Sequence, residues 1–240
     1  MVGVQNELDG GFSWTLLHHD RPLSDEKGNP YQMLQHNCKI AVAWNMMDQC
    51  FKTIVDGHTK TNVVQHVIYN ARSNYTRLDF KGFYTAILEE NDEVICAASL
   101  RLHGTKMAEM PFVATHRRYR KRGMLSKLLV AVESALCYLR VENLVIPSSE
   151  EAVAMWINKF NFSTIPKSLE KDVIHSNMLM FPKAVKLYKA LLSDAAATET
   201  EQVNDDNDTN GVAPTSSTKG IPLFDLNLLP LKEDEGKDVV

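Results

Sequence analysis

The sequence predicts a mixed α/β domain, and three observations carry that expectation. Two strand-like runs, residues 83–88 and 93–102, flank the polar Glu89-Glu90-Asn91-Asp92 as an antiparallel hairpin would. Residues 124–141 repeat apolar side chains at helical spacing, with Leu125, Leu128, Leu129, Val132, Leu136 and Leu139 on one side. Apolar residues make up 44% of the 240-residue chain and charged residues 23%. That balance suits a soluble globular body and excludes collagen, mucin and a wholly disordered chain.

The other elements follow in order. Residues 37–55 place Ile40, Val42, Ala43, Met46, Met47, Cys50, Phe51 and Ile54 near helical spacing, so a helix is expected there with Trp44, Met46 and Met47 in the core. Residues 107–115 read as a third strand after the hairpin, and residues 144–146 as a short buried strand. Ser148-Ser149-Glu150-Glu151 fits a capping box that opens a helix to about Phe160. Residues 178–181 read as a late strand and residues 183–192 as a late helix. No run reaches 18 apolar residues, so no membrane-spanning helix is expected. The N-terminus lacks the basic and apolar regions of a secretory signal. Cysteines at 38, 50, 96 and 137 are too far apart for a zinc ribbon, and the histidines show no ligand spacing. No metal is expected, and reduced thiols in the cytosol or nucleus are the default.

Charge is unevenly spread. The last 48 residues hold 11 acids and 3 bases, which leaves residues 1–192 at +4 against −4 for the whole chain. From Ser193 onward large apolar residues almost vanish, so the expected organisation is a domain over residues 1–192 and a disordered acidic tail over residues 193–240. An apolar island, residues 221–231, interrupts that tail and has the character of a segment that docks in a partner's groove.

The segment MAEMPFVATHRRYRKRGMLSKLL, residues 107–129, carries the chemistry. It is a strand, a basic loop, one glycine and then a helix. Arg117, Arg118, Arg120, Lys121, Arg122 and Lys127 gather at the start of that helix. Cations there oppose the helix dipole by roughly 0.3–1 kcal/mol each. Their accumulation points to an anion supplied from outside, because helix N-terminal amides bind phosphate. Gly123 allows a close backbone approach. A solvated basic loop and a nucleic-acid contact are the competing readings; the acidic tail argues against the second. Pro111 cannot donate to a sheet ladder, so it marks either a strand end or a bulge that would splay this strand from its neighbour. Glu109 is the one acid in the strand. Among Ala108, Met110 and Phe112 its carboxyl would be pushed up toward the range of a base working near pH 7.

This segment resembles motif A of the GCN5-related N-acetyltransferases (GNATs), whose loop signature Gln/Arg-x-x-Gly-x-Gly/Ala stands here as Arg120-Lys121-Arg122-Gly123-Met124-Leu125, with leucine at the last, usually small position. The helix that ends at Phe160-Asn161-Phe162 looks like the family's second motif, with Asn161 in place of glycine. The order GGFSWTLL, NCKIAVAWNMMDQCF, FYTAILEENDEVICAASLRLHG and AEMPFVATHRRYRKRGM is similar to the C-terminal half of plant PHD-finger acetyltransferases of the increased-DNA-methylation type, over roughly residues 2–192. Their cysteine-rich PHD finger is absent from these 240 residues.

The resemblance implies a mostly antiparallel sheet splayed at a bulge, helices on both faces, and acetyl-CoA as co-substrate. It assigns coenzyme binding to Val113, Thr115, Arg120, Lys121, Arg122, Gly123, Met124, Leu125 and Ser126, with the Val113 amide serving the thioester oxygen and Glu109 as catalytic base. The tyrosine that many GNATs use as general acid is replaced by Ile157. In the tail, Asp225-Leu226-Asn227-Leu228-Leu229-Pro230 matches the plant Asp-Leu-Asn-x-x-Pro repression motif of EAR type, which implies a Topless-like corepressor bound through Asp225, Leu226, Asn227, Leu228 and Pro230. The implied function is nuclear histone-lysine acetylation in transcriptional regulation. A catalytically weak GNAT-fold scaffold that recruits the corepressor is the alternative.

Overall fold

In a computed structural model that describes residues 1–19, 29–51 and 54–192, the chain forms nine strands and five α-helices among the described residues. Strands β1 (Gln5–Leu8) and β2 (Phe12–Leu17) precede the long helix α1 (Pro30–Cys50) and the short helix α2 (Val63–Ile68). The expected hairpin follows as β3 (Phe83–Glu90) and β4 (Glu93–His103), paired antiparallel with Asn91 and Asp92 left-handed in the turn. Next come β5 (Met107–Glu109), β6 (Val113–Thr115), α3 (Met124–Tyr138), β7 (Asn143–Ser148), α4 (Glu150–Phe160), β8 (Ser163–Thr164), α5 (Lys167–His175) and β9 (Val185–Ala190).

The sheet order is β1-β2-β3-β4-β5-β7-β9-β8, with β6 paired to β4 beside that path. Every pairing is antiparallel except β5 with β7. Two main cores cover its faces. On one side α3 and α4 bury Leu125, Leu128, Leu129, Val132, Leu136, Trp156 and Phe160 against Leu88, Cys96, Ala98 and Ile146. On the other, α1 and α2 bury Ile40, Ala43, Met47, Val64 and Val67 against Leu17, Ile87, Ala97 and Ala114. Each fully buried leucine or valine contributes roughly 1.5–3 kcal/mol. A smaller cluster of Met107, Val145, Leu169, Val173 and Met178 seats α5.

Several elements differ from the sequence reading. The strand expected over residues 107–115 is broken at Met110, Pro111 and Phe112. Helix α1 begins at Pro30, where Asn29 caps it by accepting from the Tyr31 N–H. Ser149 caps α4 by position only: no capping box forms, and the Ser148 hydroxyl donates to the Ser149 carbonyl instead. Residues 178–181 are irregular rather than a strand. The expected late helix over residues 183–192 is strand β9. Lysine, leucine and alanine favour a helix there, but β9 gains ladders with both β7 and β8. Its side chains alternate accordingly, Leu187 entering the α3–α4 core and Tyr188 the α5 cluster. The tail of residues 193–240, its repression-type motif included, lies outside the described residues.

Candidate active site

The central feature is a parting of strands. At Glu109, β5 is opposite Arg101 of β4 and Val145 of β7. Beyond the break, Val113 of β6 is opposite Ala98. From one pair to the next β4 advances three residues and its partner four, so one extra residue is bulged out. The Met110 N–H still donates to the Val145 carbonyl at 2.9 Å. After that, β6 keeps its ladder with β4 and has none with β7. Pro147 has the same parity as Val145, so it offers no N–H on the side where β6 has left. The result is a V with β6 and β7 as its arms.

Backbone parity decides what faces the gap. Ser99 donates to the Phe112 carbonyl and His116 to the Ile95 carbonyl, so residues 112 and 116 are bonded toward β4. The amides of Val113 and Thr115 therefore point the other way, into the V.

The open end of the V leads to the N-terminus of α3. Lys121 (φ 62°) and Gly123 (φ 79°, ψ 12°) are both left-handed, and they turn the chain sharply into the helix. No side chain caps the helix. Its first internal bond is Lys127 N–H to the Gly123 carbonyl, so the amides of Met124, Leu125 and Ser126 are directed out along the axis. Met124 and Leu125 bury their side chains in the core. The leucine that departs from the family signature thus packs inward and leaves its amide on the turn. Arg117, Arg118, Lys121 and Arg122 are exposed around it, and Arg117 and Arg118 have no carboxylate partner among the described residues. Arg120 is used differently: its Nε donates to the Thr115 carbonyl (3.3 Å) and its Nη2 reaches Cys50 Sγ (3.2 Å). It braces the loop on β6 and α1. A turn of uncapped amides ringed by cations is a donor set that fits a diphosphate.

At the closed end of the V is Glu109, 1% exposed. Its surroundings are not the apolar ones that the flanking sequence suggests. Arg101 Nε is 2.5 Å and His103 Nε2 2.9 Å from Oε1, and the Leu179 amide donates to Oε2 at 2.8 Å. The reason is geometric. Ala108 and Met110 point to the α3–α4 core, whereas Glu109 points to the opposite face, where β4 presents Arg101 and His103. Arg101 also stacks over the Phe83 ring, 4.3 Å from its centroid.

Beside the break opens a cleft of about 310 Å³, walled by Phe51, Pro111, Phe112, Pro147 and Phe181 with Glu150 and Glu151 at its edge. Phe112 packs edge-on to Phe51 and tilted on Phe181. A second cavity of about 180 Å³ lies over Arg101, between residues 76–80 and 177–180. Ile157 is 37% exposed and offers no acid. Asn161 does adopt the left-handed turn of the glycine it replaces, at φ 58° and ψ 36°. No group of three or more His, Cys, Asp or Glu among the described residues is placed to hold a metal ion.

The structure thus places Glu109, Val113 and Thr115 on the parting strands β5 and β6, with the Glu109 carboxylate buried, and Gly123, Met124, Leu125 and Ser126 at the start of α3 beyond the open end of the V. It sends the Arg120 side chain elsewhere. Arg101, His103 and Leu179 were not foreseen. The first two were within reach: a tight turn over residues 104–106 sets Arg101 opposite Glu109. Leu179, 70 residues away, leaves no local signal.

Residues 51–190 match the family described as Increased DNA methylation 1, C-terminal domain. The protein Increased DNA methylation 1 of Arabidopsis thaliana is 36% identical over a 199-residue alignment that covers 79% of this chain and 16% of that protein. The chain therefore spans about a sixth of its relative's length. Among solved structures, Tetrahymena GCN5 aligns over 66% of this chain and 89% of its own, at 12% identity and TM-score 0.52. The catalytic domain of the Tetrahymena GCN5 histone acetyltransferase in complex with coenzyme A aligns over 78% and 97%, at 12% identity and TM-score 0.51. Sheet, splay and helix order accordingly are those of the GNAT acetyltransferase fold, and the chain belongs to the family of the Increased DNA methylation 1 C-terminal domain.

Proposed function

We propose that the protein is a nuclear N-acetyltransferase that moves an acetyl group from acetyl-CoA to a lysine of a histone or another chromatin protein. The one-residue bulge at Met110–Phe112 carries this reading, because it opens the gap a thioester arm needs and turns the Val113 amide toward it. The amides of Met124, Leu125 and Ser126 would hold the diphosphate, with Arg117, Arg118, Lys121 and Arg122 supplying counter-charge. The Val113 N–H would donate to the thioester oxygen as it gains charge, a contribution of about 10²–10³ in rate for one such donor. Glu109 would take the proton from the acceptor ammonium. Its Oε2 has a single donor, so a lone pair remains for the amine or a bridging water. The Phe51–Phe112–Phe181 walls would surround the aliphatic part of the lysine. A thiolate with a thiol pKa of about 8.5 departs without a strong acid, so Ile157 is compatible with turnover.

The enclosure of Glu109 favours a second reading, in which the fold survives as a scaffold. Arg101, His103 and Leu179 together seal the carboxylate from water. In that reading the domain holds acetyl-CoA or chromatin without turnover, and the tail motif at residues 225–230 recruits a Topless-like corepressor. Calorimetry with acetyl-CoA followed by mass spectrometry of histone peptides, with Glu109→Gln as control, separates the two. Transfer that is lost in Glu109→Gln supports the enzyme. Binding with no transfer by the parent chain supports the scaffold.

A further inference from the structure

Arg101 is more than a counter-ion. One guanidinium joins three segments that are remote in sequence: Nε bonds Glu109 Oε1 in β5, Nη1 donates to the Asp79 carbonyl at 3.4 Å, and Nη2 donates to the Asn177 carbonyl at 3.0 Å. The last of these belongs to the irregular stretch that also supplies the Leu179 N–H to Oε2. That stretch is bracketed by two left-handed residues, Asn177 (φ 47°) and Lys183 (φ 67°), and Asn177 is itself tied to the Thr76 carbonyl. Leu179 and Phe181 rest against the core cluster that contains Phe112. One stretch thus touches the base through Leu179 and walls the cleft through Phe181.

We infer that Arg101 is the positioning residue of the acetyl transfer: it grips Oε1 of Glu109 so that Oε2 alone is presented toward the acceptor, and it ties that orientation to the 177–183 stretch. His103 adds a second side-chain contact to the same oxygen. The asymmetry argues for this. Two side-chain donors converge on Oε1, while Oε2 has one main-chain donor, the Leu179 N–H, from the stretch whose Phe181, Pro182 and Lys183 line the cleft. A guanidinium whose only task was neutralisation would need neither the Asp79 nor the Asn177 carbonyl. The inference rests on the acetyltransferase reading, and it deepens that reading.

Arg101→Ala and Arg101→Lys in the full chain test it, with methylguanidinium as the rescuing probe. The cavity over Arg101 gives that cation a way in. Three quantities are read: kcat and KM on a histone peptide, acetyl-CoA affinity, and hydrogen exchange at the Leu179 amide. In Arg101→Ala we expect kcat at least thirtyfold lower, KM changed less than threefold, and acetyl-CoA affinity unchanged. Exchange at Leu179 should be at least tenfold faster, and millimolar methylguanidinium should recover both kcat and protection. Arg101→Lys keeps the charge, loses the fork, and should recover less than a tenth of kcat. Three results would each overturn the proposal: full kcat in Arg101→Lys, unchanged Leu179 exchange in Arg101→Ala, or a folded Arg101→Ala that methylguanidinium does not rescue. A parent chain without turnover sinks the acetyltransferase reading instead; the exchange measurement then still decides whether Arg101 holds Glu109 and the 177–183 stretch together.

Discussion

The two ends of the V are built from different material. The outer end is main chain: the left-handed turn at Gly123 and the uncapped amides of Met124, Leu125 and Ser126. The inner end is side chain: Glu109 between Arg101 and His103. A backbone site depends on conformation and tolerates changes of side chain, provided they pack elsewhere. A side-chain site depends on identity and tolerates almost none. That difference accounts for the way this sequence departs from the GNAT signature. Leucine at 125 and asparagine at 161 sit where conformation is what counts. The carboxylate at 109 sits where it does not.

The sharpest break of this comparison is Glu109→Gln. A general base contributes about 10²–10⁴ in rate, so kcat should fall by that factor while acetyl-CoA affinity, measured by calorimetry, holds. A loss of coenzyme binding would mean that the two ends are one unit. Leu125→Ala tests the opposite end. Removing a buried leucine costs about 2–5 kcal/mol, read by urea unfolding, yet acetyl-CoA should bind within about twofold of the parent, the margin for sites that do not couple. A large loss of affinity would show that the leucine side chain matters at the turn itself.

Gly123→Val reverses that pattern. An L-residue in the left-handed region costs about 1–2 kcal/mol, and the strain falls where the amides must line up. Acetyl-CoA affinity should weaken about tenfold, the equivalent of 1.4 kcal/mol, with the Leu179–Glu109 bond intact by hydrogen exchange.

Legibility follows the same division. Main-chain requirements leave local marks, so Pro111 announced the break and Gly123 the turn. Asn161 was readable as a glycine substitute because asparagine tolerates the left-handed region, and the structure holds it there. Asn161→Val should therefore cost roughly 1 kcal/mol by thermal unfolding, and Asn161→Gly almost nothing. Side-chain partners leave marks only through pairing register. Arg101 and His103 became neighbours of Glu109 because a short turn folded β4 onto β5. Leu179 arrives from beyond α5, and β9 is a strand because β7 and β8 flank it. Neither fact is local, and the helix-favouring residues of 183–192 argued against the second.

The smallest effect guards the largest from misreading. His36 on α1 is outside both ends of the V. Burial lowers its pKa below the usual 6.5; Lys39 adds to the shift, and Glu89 opposes it. The folded ring therefore resists protonation more than the unfolded ring does. Stability from this group is complete above pH 6.5 and falls as the pH drops from there through the folded value, because the unfolded chain binds the extra proton. A rate that declines on the acid side could thus reflect partial unfolding rather than the chemistry of the site. His36→Gln removes this titration and should flatten the dependence of Tm on pH below about 6.5. If the acid decline in kcat persists in that variant, it does not come from the fold's loss of stability through His36. If it disappears along with the Tm slope, the decline is a property of the fold and says nothing about the base.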